Sequence, residues 1–357
     1  VRRVLPLLLV LALAGCTPVS SLTTGPEAEG VQPEGNPTTL ASDLVTPWSI
    51  ALFGDGALIS ERDTALVKYY DGTSTEVVGE VPGVDPQGEG GLLGLAIDPD
   101  DDGWLYAYLT AAADNRVVRL PLTVGAAGPE LGSPEVVIDG LPKGTYHNGG
   151  RIKFGPDGDL YITAGDAGFP DGAQDVTYLG GKILRIAPDG TYPADNPYAN
   201  SPVYSLGHRN PQGIAWDDDG QLYAAEFGQD TWDEFNRIDA GANYGWPIVE
   251  GIGDQEGFVD PLAQWPTDDA SPSGLAFIRG TFFLAALRGE RVWVIYVDGD
   301  RADPVSWFEG ELGRVRDVAE SPDGNLWLLT SNTDGNGDQR DGADLLTEYR
   351  LGELVEG

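Results

Sequence analysis

One pattern recurs six times along this chain and leaves few folds open to it. An apolar stretch runs into a turn rich in Pro, Asp and Gly, then returns as a short strand, usually of Leu-Tyr type. The instances begin at Ile50, Leu95, Ile152, Ile214, Leu275 and Val318, with turns such as Pro156-Asp157-Gly158 and Pro322-Asp323-Gly324. Alternating β-formers around such a turn are a hairpin signal. The units lie roughly 40 to 60 residues apart, the size of a four-stranded propeller blade with its loops. No amphipathic helix pattern separates them. The expected fold is all-β: a six-bladed β-propeller of four-stranded antiparallel blades, one domain over residues 40–357. Two packed β-sandwiches would leave the recurrence unexplained. The segment from Thr39 to Trp48 and the tail from Leu345 to Leu351 are expected to complete one blade together, closing the ring and removing its open edges.

The formal charge of −36 argues against nucleic acid or an anionic membrane surface as a partner, since both attract basic faces. Ahead of the repeat stands a short basic start, Val1-Arg2-Arg3, then an apolar run from Val4 to Leu13. That run is too short to span a bilayer and reads as an export signal. It ends in Leu13-Ala14-Gly15-Cys16, and Cys16 is the only cysteine, so no intramolecular disulfide forms. The four residues resemble the bacterial lipobox, which implies lipidation of Cys16; an ordinary cleaved signal with an incidental cysteine is the other reading. Residues 1–16 are therefore expected to be a lipoprotein signal. Residues 17–39, rich in Ser, Thr, Pro, Gly and Glu, are expected to be a flexible tether. The domain would then work outside the cytoplasm, in the periplasm or at the cell surface, touching a membrane through its lipid alone.

Polar motifs fall in the loops around the hairpins. The chain has two histidines. His147 stands in Tyr146-His147-Asn148-Gly149-Gly150-Arg151, and His208 in Gly207-His208-Arg209-Asn210-Pro211-Gln212. A base that works near neutral pH is most often histidine. With Asp166 at the end of the strand that follows Leu160, His147 is the candidate base. Arg209, Arg288, Arg314 and Arg316 take similar positions in successive units. Converging, they would suit a polyanionic ligand; apart, they would pair with surface Asp and Glu. Asp98, Asp100 and Asp102, and again Asp334, Asn336 and Asp338, begin like EF-hand loops. Their twelfth positions are Leu109 and Leu345 rather than Glu, so both are read as solvated turns.

Glu89-Gly90-Gly91-Leu92-Leu93-Gly94, the His147 and His208 runs, Leu179-Gly180-Gly181-Lys182, Asn243-Tyr244-Gly245-Trp246-Pro247, Pro272-Ser273-Gly274-Leu275, Ala286-Leu287-Arg288-Gly289 and Gly313-Arg314-Val315-Arg316-Asp317 occur in order. Together they resemble the soluble glucose/sorbosone dehydrogenases that depend on pyrroloquinoline quinone (PQQ), from about residue 40 to about 350. The resemblance implies oxidation of an aldose at C1 to the lactone, with hydride passing to the quinone and electrons to an external acceptor. It implies His147 as base, Asp166 as its orienter, and Arg209 stabilising charge on the quinone, with Asn210 also on the cofactor. Arg288, where glucose dehydrogenases have lysine, would touch the cofactor, as would Arg314 and Arg316. The carbonyls of Gly228 and Gln229 would bind calcium, Glu89 would meet substrate, and Gln174 would line the same pocket. Tyr146 departs from the pattern, standing where the glucose enzymes have aspartate. Two other classes compete. A non-catalytic binding propeller would have no reason to keep base, orienter and arginines together. A calcium lactonase propeller would need converging carboxylate and amide ligands, not arginines.

Overall fold

The computed structural model describes Val1 and residues 30–126, 128–336 and 344–354. Residues 2–29, with Cys16 and most of the expected signal and tether, lie outside the described residues, as does Asp338. The six hairpins of the repeat are the first two strands of six four-stranded antiparallel blades. Blade one holds β2 (Pro47–Phe53), β3 (Gly56–Glu61), β4 (Leu66–Tyr70) and β5 (Thr75–Glu80). Blade two holds β6 (Leu92–Asp98), β7 (Asp101–Thr110), β8 (Asn115–Gly125) and β10 (Glu135–Leu141), with the short β9 (Gly128–Leu131) paired to the end of β8. Blade three is β11 (Ile152–Phe154), β12 (Leu160–Ala164), β13 (Lys182–Ile186) and β14 (Val203–Leu206). Blade four is β15 (Pro211–Trp216), β16 (Leu222–Glu226), β17 (Trp232–Ile238) and β18 (Ala263–Pro266). Blade five is β19 (Pro272–Ile278), β20 (Thr281–Ala286), β21 (Arg291–Asp298) and β22 (Arg301–Trp307).

Blade six mixes the two ends of the chain: β23 (Val315–Glu320), β24 (Leu326–Thr330), β25 (Leu346–Glu353) and, outermost, β1 (Val31–Ala41). The closing strand therefore starts at Val31, not near Thr39. Nine residues expected in the tether, 31–39, belong to the propeller, while Pro47 and Trp48 open blade one. Pro33 and Pro37 made this segment read as linker, but an edge strand tolerates proline. The β1–β25 register indeed shifts between Glu34 and Thr38.

Hydrophobic burial follows the ring. Each of six apolar clusters sits between two consecutive blades; Tyr161, Ile183, Ile214 and Leu222, for example, join blades three and four. A strand sandwiched between neighbouring blades is covered on both faces, which is why β12, β16 and β24 are wholly buried and, apart from Glu226 and the threonines, apolar rather than alternating. The outermost β5 and β22 are largely exposed or half-buried. The innermost strands touch one another around a central channel. Among the described residues no helix is long and apolar enough to cross a bilayer.

Candidate active site

Five of the six innermost strands carry a register shift near their first residues, at Pro47/Ser49, Leu92/Leu95, Pro211/Gly213, Pro272/Leu275 and Val315/Asp317. Bulges re-aim side chains, and they gather beside functional sites. Here Trp48, Gln212 and Arg316 lie within the shifts, and all three line a cavity of about 410 Å³ over the channel. The loops before each innermost strand and after each second strand meet at this same end. The former supply Glu89, His147, Arg209 and Arg314, and the latter Arg62, Gly228, Arg288 and Asn336.

His147 is held from three sides. Its backbone lies in the left-handed region, φ 58°. Its N–H donates to Glu89 Oε2 at 2.9 Å and its carbonyl accepts from Ala167 at 3.2 Å. Its Nδ1 lies 2.7 Å from Asp166 Oδ1. Gly165 makes room for this loop: a Cβ there would sit 2.1 Å from the His147 carbonyl oxygen. Asp166 is buried; burial pushes its pKa up, but hydrogen bonds from His147, the Gly168 N–H and the Trp246 indole outweigh that and hold it below the usual carboxylate range. An ionised Asp166 fixes the imidazole proton on Nδ1 and leaves the Nε2 lone pair free to accept one. His208 is different. It is fully buried, stacked on Tyr244 and bonded to Ser205 Oγ and Glu226 Oε2 at 2.8 Å each, and Glu226 in turn accepts the Arg209 N–H. It is a structural histidine that fixes the backbone of Arg209.

The four arginines of the sequence pattern split into three environments. Arg314 and Arg316 share the buried carboxylate of Asp334 at 2.9 and 3.1 Å. Burial would raise Asp334, but Arg316 and Arg314 hold it low. Burial brings Arg316 down to about 10, and its Nε has no hydrogen-bond partner among the described residues. Arg209 stands opposite His147's partner, its guanidinium 5.5 Å from the Trp246 ring centroid and its Nε donating to Gln229 Oε1 at 3.1 Å. Arg288 is at the rim, largely exposed and paired with Asp268 at 2.5 Å, the surface pairing that was the alternative reading. A fifth, Arg62, donates to the Asp334 carbonyl at 3.0 Å and lines the cavity. The sequence pattern missed it because Glu61-Arg62-Asp63 belongs to none of the polar motifs.

The 228–232 loop is pinned by Glu250, whose Oε1 accepts the N–H groups of Gln229, Asp230, Thr231 and Trp232 at 2.7–3.2 Å. Asp233, pushed up to about 7 by burial, accepts the Gly228 N–H at 2.8 Å. Asn210 lines the cavity and its Oδ1 accepts the Gly149 N–H at 3.0 Å. Gln174 does not reach the cavity. Its amide is used up by Asn243, at 3.0 and 2.7 Å, and by the Trp246 carbonyl at 2.6 Å. Its place in a pocket-like loop was legible; its partners were not.

Comparison with known proteins agrees with this fold. The chain resembles a PQQ-bound aldose sugar dehydrogenase of Streptomyces coelicolor, 50% identical over 92% of this chain and 100% of that one, with a TM-score of 0.86. It is 30% identical to aldose sugar dehydrogenase YliI of Escherichia coli over 84% of this chain and 91% of that protein. Quinoprotein glucose dehydrogenase B of Acinetobacter calcoaceticus is 28% identical, with 89% of each covered. The Glucose / Sorbosone dehydrogenase profile matches residues 44–345, from the start of blade one through the two inner strands of blade six, with the residues that line the cavity inside that range. This chain belongs to the glucose/sorbosone dehydrogenase family.

Proposed function

We propose that this protein is a PQQ- and calcium-dependent dehydrogenase that oxidises aldoses at C1 to the lactone and passes electrons to an external acceptor. The observation that carries the reading is the His147–Asp166 pair opening onto a cavity lined by five arginines. PQQ is a planar quinone with three carboxylates, and the residues fit it: Arg314, Arg316 and Arg62 offer charge and donors, and the buried Nε of Arg316 lacks a partner among the described residues. Arg209, Asn210 and Arg288 line the remainder. The Gly228 and Gln229 carbonyls are the hard oxygens for calcium. Among the described residues no group of three or more His, Cys, Asp or Glu is placed to hold a metal, so carbonyls would carry that task.

The chemistry PQQ supplies when bound is a two-electron acceptor for the hydride from C1. The chain's own residues do the rest. His147 Nε2 takes the C1 hydroxyl proton, Asp166 keeps Nδ1–H aimed and favours the resulting imidazolium, and Arg209 with Asn210 stabilises negative charge on the acceptor side. Glu89, whose carboxylate lies against the His147 backbone, faces the sugar. Calcium and PQQ added to the purified apo-protein should give aldose-dependent dye reduction. Arg316→Met should weaken PQQ binding by about 10²-fold, the cost of losing a buried charge-assisted contact. PQQ affinity unchanged in that variant, or no binding by the wild type, would refute the assignment.

The export and lipid anchor are part of the same proposal. An acceptor outside the cytoplasm suits a domain tethered through Cys16. Metabolic labelling with palmitate should mark the wild type and not Cys16→Ser; label persisting in that variant would sink the anchor.

A further inference from the structure

The motif Asn243–Pro247 and the side chain of Gln174 have no part in the reaction as described, and both converge on Trp246. The indole Nε1–H donates to Asp166 Oδ2 at 2.9 Å. The other oxygen, Oδ1, is taken by His147 at 2.7 Å and by the Gly168 N–H at 2.8 Å. The far face of the dyad's carboxylate thus rests on one donor. The same ring carries the Arg209 guanidinium at 5.5 Å. Trp246 is itself clamped: its N–H donates to Gly207 at 2.9 Å, and its carbonyl accepts from Gln174, which Asn243 holds by a two-way amide pair.

We infer that Trp246 is the positioning residue of the base: its indole N–H locks the free oxygen of Asp166 while its ring backs Arg209, so one side chain sets the basicity of His147 and its register with the arginine. The inference rests on the dehydrogenase reading for its catalytic meaning, but not for its geometry. A donor on Oδ2 draws negative charge away from Nδ1. Without it, Asp166 favours the imidazolium more strongly, and His147 holds its proton to higher pH. The groups facing the pair are Glu89 at the His147 N–H, Asp166, Arg209 across the indole, and the Tyr146 ring edge and Tyr178 hydroxyl, the last donating to the Asp166 carbonyl at 3.2 Å. Trp246→Phe keeps the ring against Arg209 and removes only the donor.

The test needs neither cofactor nor sugar. The chain has two histidines, so an NMR titration of imidazole Cε1–H signals in the full apo chain resolves both. In Trp246→Phe the His147 midpoint should rise by about half a pH unit, about threefold in proton affinity, with His208 unmoved. The acid limb of kcat/KM in the PQQ-loaded enzyme should move with it. A His147 midpoint unchanged within about 0.2 unit, or both histidines moving together, overturns the inference. If Trp246→Phe does not fold, Gln174→Met takes its place, with a smaller rise expected and no rise overturning. A wild type that never oxidised an aldose would sink the functional proposal while leaving this titration decisive.

Discussion

Replacing His147 by Ala should lower turnover of the PQQ-loaded protein by about 10²–10⁴-fold, the usual worth of a positioned general base. PQQ affinity should hardly change, because the arginines that would grip the carboxylates sit on other blades and do not touch the imidazole. Stability should hardly change either. The left-handed backbone at residue 147 is strained for His and Ala alike, and the loop remains tied through the residue's own N–H and carbonyl to Glu89 and Ala167. The variant therefore separates chemistry from binding. Steady-state dye reduction read beside a PQQ titration checks it. A kcat within about threefold of wild type would mean that another group takes the proton.

The fold was more legible than the site because it was written in local chemistry. Asp157-Gly158 and Asp323-Gly324 make turns with few alternatives, and the stretches they join are the innermost strand of the blade and its wholly buried second strand. The outer strands carry weaker signals since they bury less; β1 was invisible for that reason, being exposed along its middle and interrupted by proline. Within the site, His147 and Asp166 stood out because histidine is scarce and the aspartate ends a strand. Arg62 and Trp246 did not, because each acts across blades: Arg62 on Asp334, Trp246 on Asp166. Contacts between residues so distant in sequence leave no periodicity to read. Gln174 shows the converse: a polar residue in the right loop whose amide is spent on Asn243 and Trp246.

Asp317→Asn should destabilise the propeller by about 3–5 kcal/mol, the cost of stranding a buried charge. The floor beneath the cavity is polar. Arg151, 1% exposed, reaches across the channel to Asp317 Oδ2 at 2.8 Å, Ser49 Oγ at 3.1 Å and the Gln212 carbonyl at 2.8 Å, with Trp48 at 4.2 Å against its guanidinium. Lys153, donating to the Leu275 carbonyl at 2.7 Å, is brought down to about 8 by burial, with Asp317 opposing the shift and Arg151 adding to it. One carboxylate thus serves two cations, Arg151 buried and Lys153 half-buried. Asparagine keeps its shape, so the loss reports charge rather than a void. The pH dependence separates the two cations. Lys153 binds its proton less well folded than unfolded, so stability rises with pH from about 8 towards 10.5 as the unfolded chain holds the extra proton. Without Asp317 the folded value falls further and that rise begins at lower pH. The variant's deficit should therefore be largest below neutrality and shrink in alkali, as Lys153 sheds its charge while Arg151 keeps its own. Urea unfolding at both ends of that range decides it: a deficit that does not vary with pH would leave Arg151 as the only cation that depends on Asp317. Because Gln212 also accepts from Arg316, at 3.1 Å, and Trp48 lies between both arginines, the same substitution should loosen the cofactor's floor and weaken PQQ binding in step with stability.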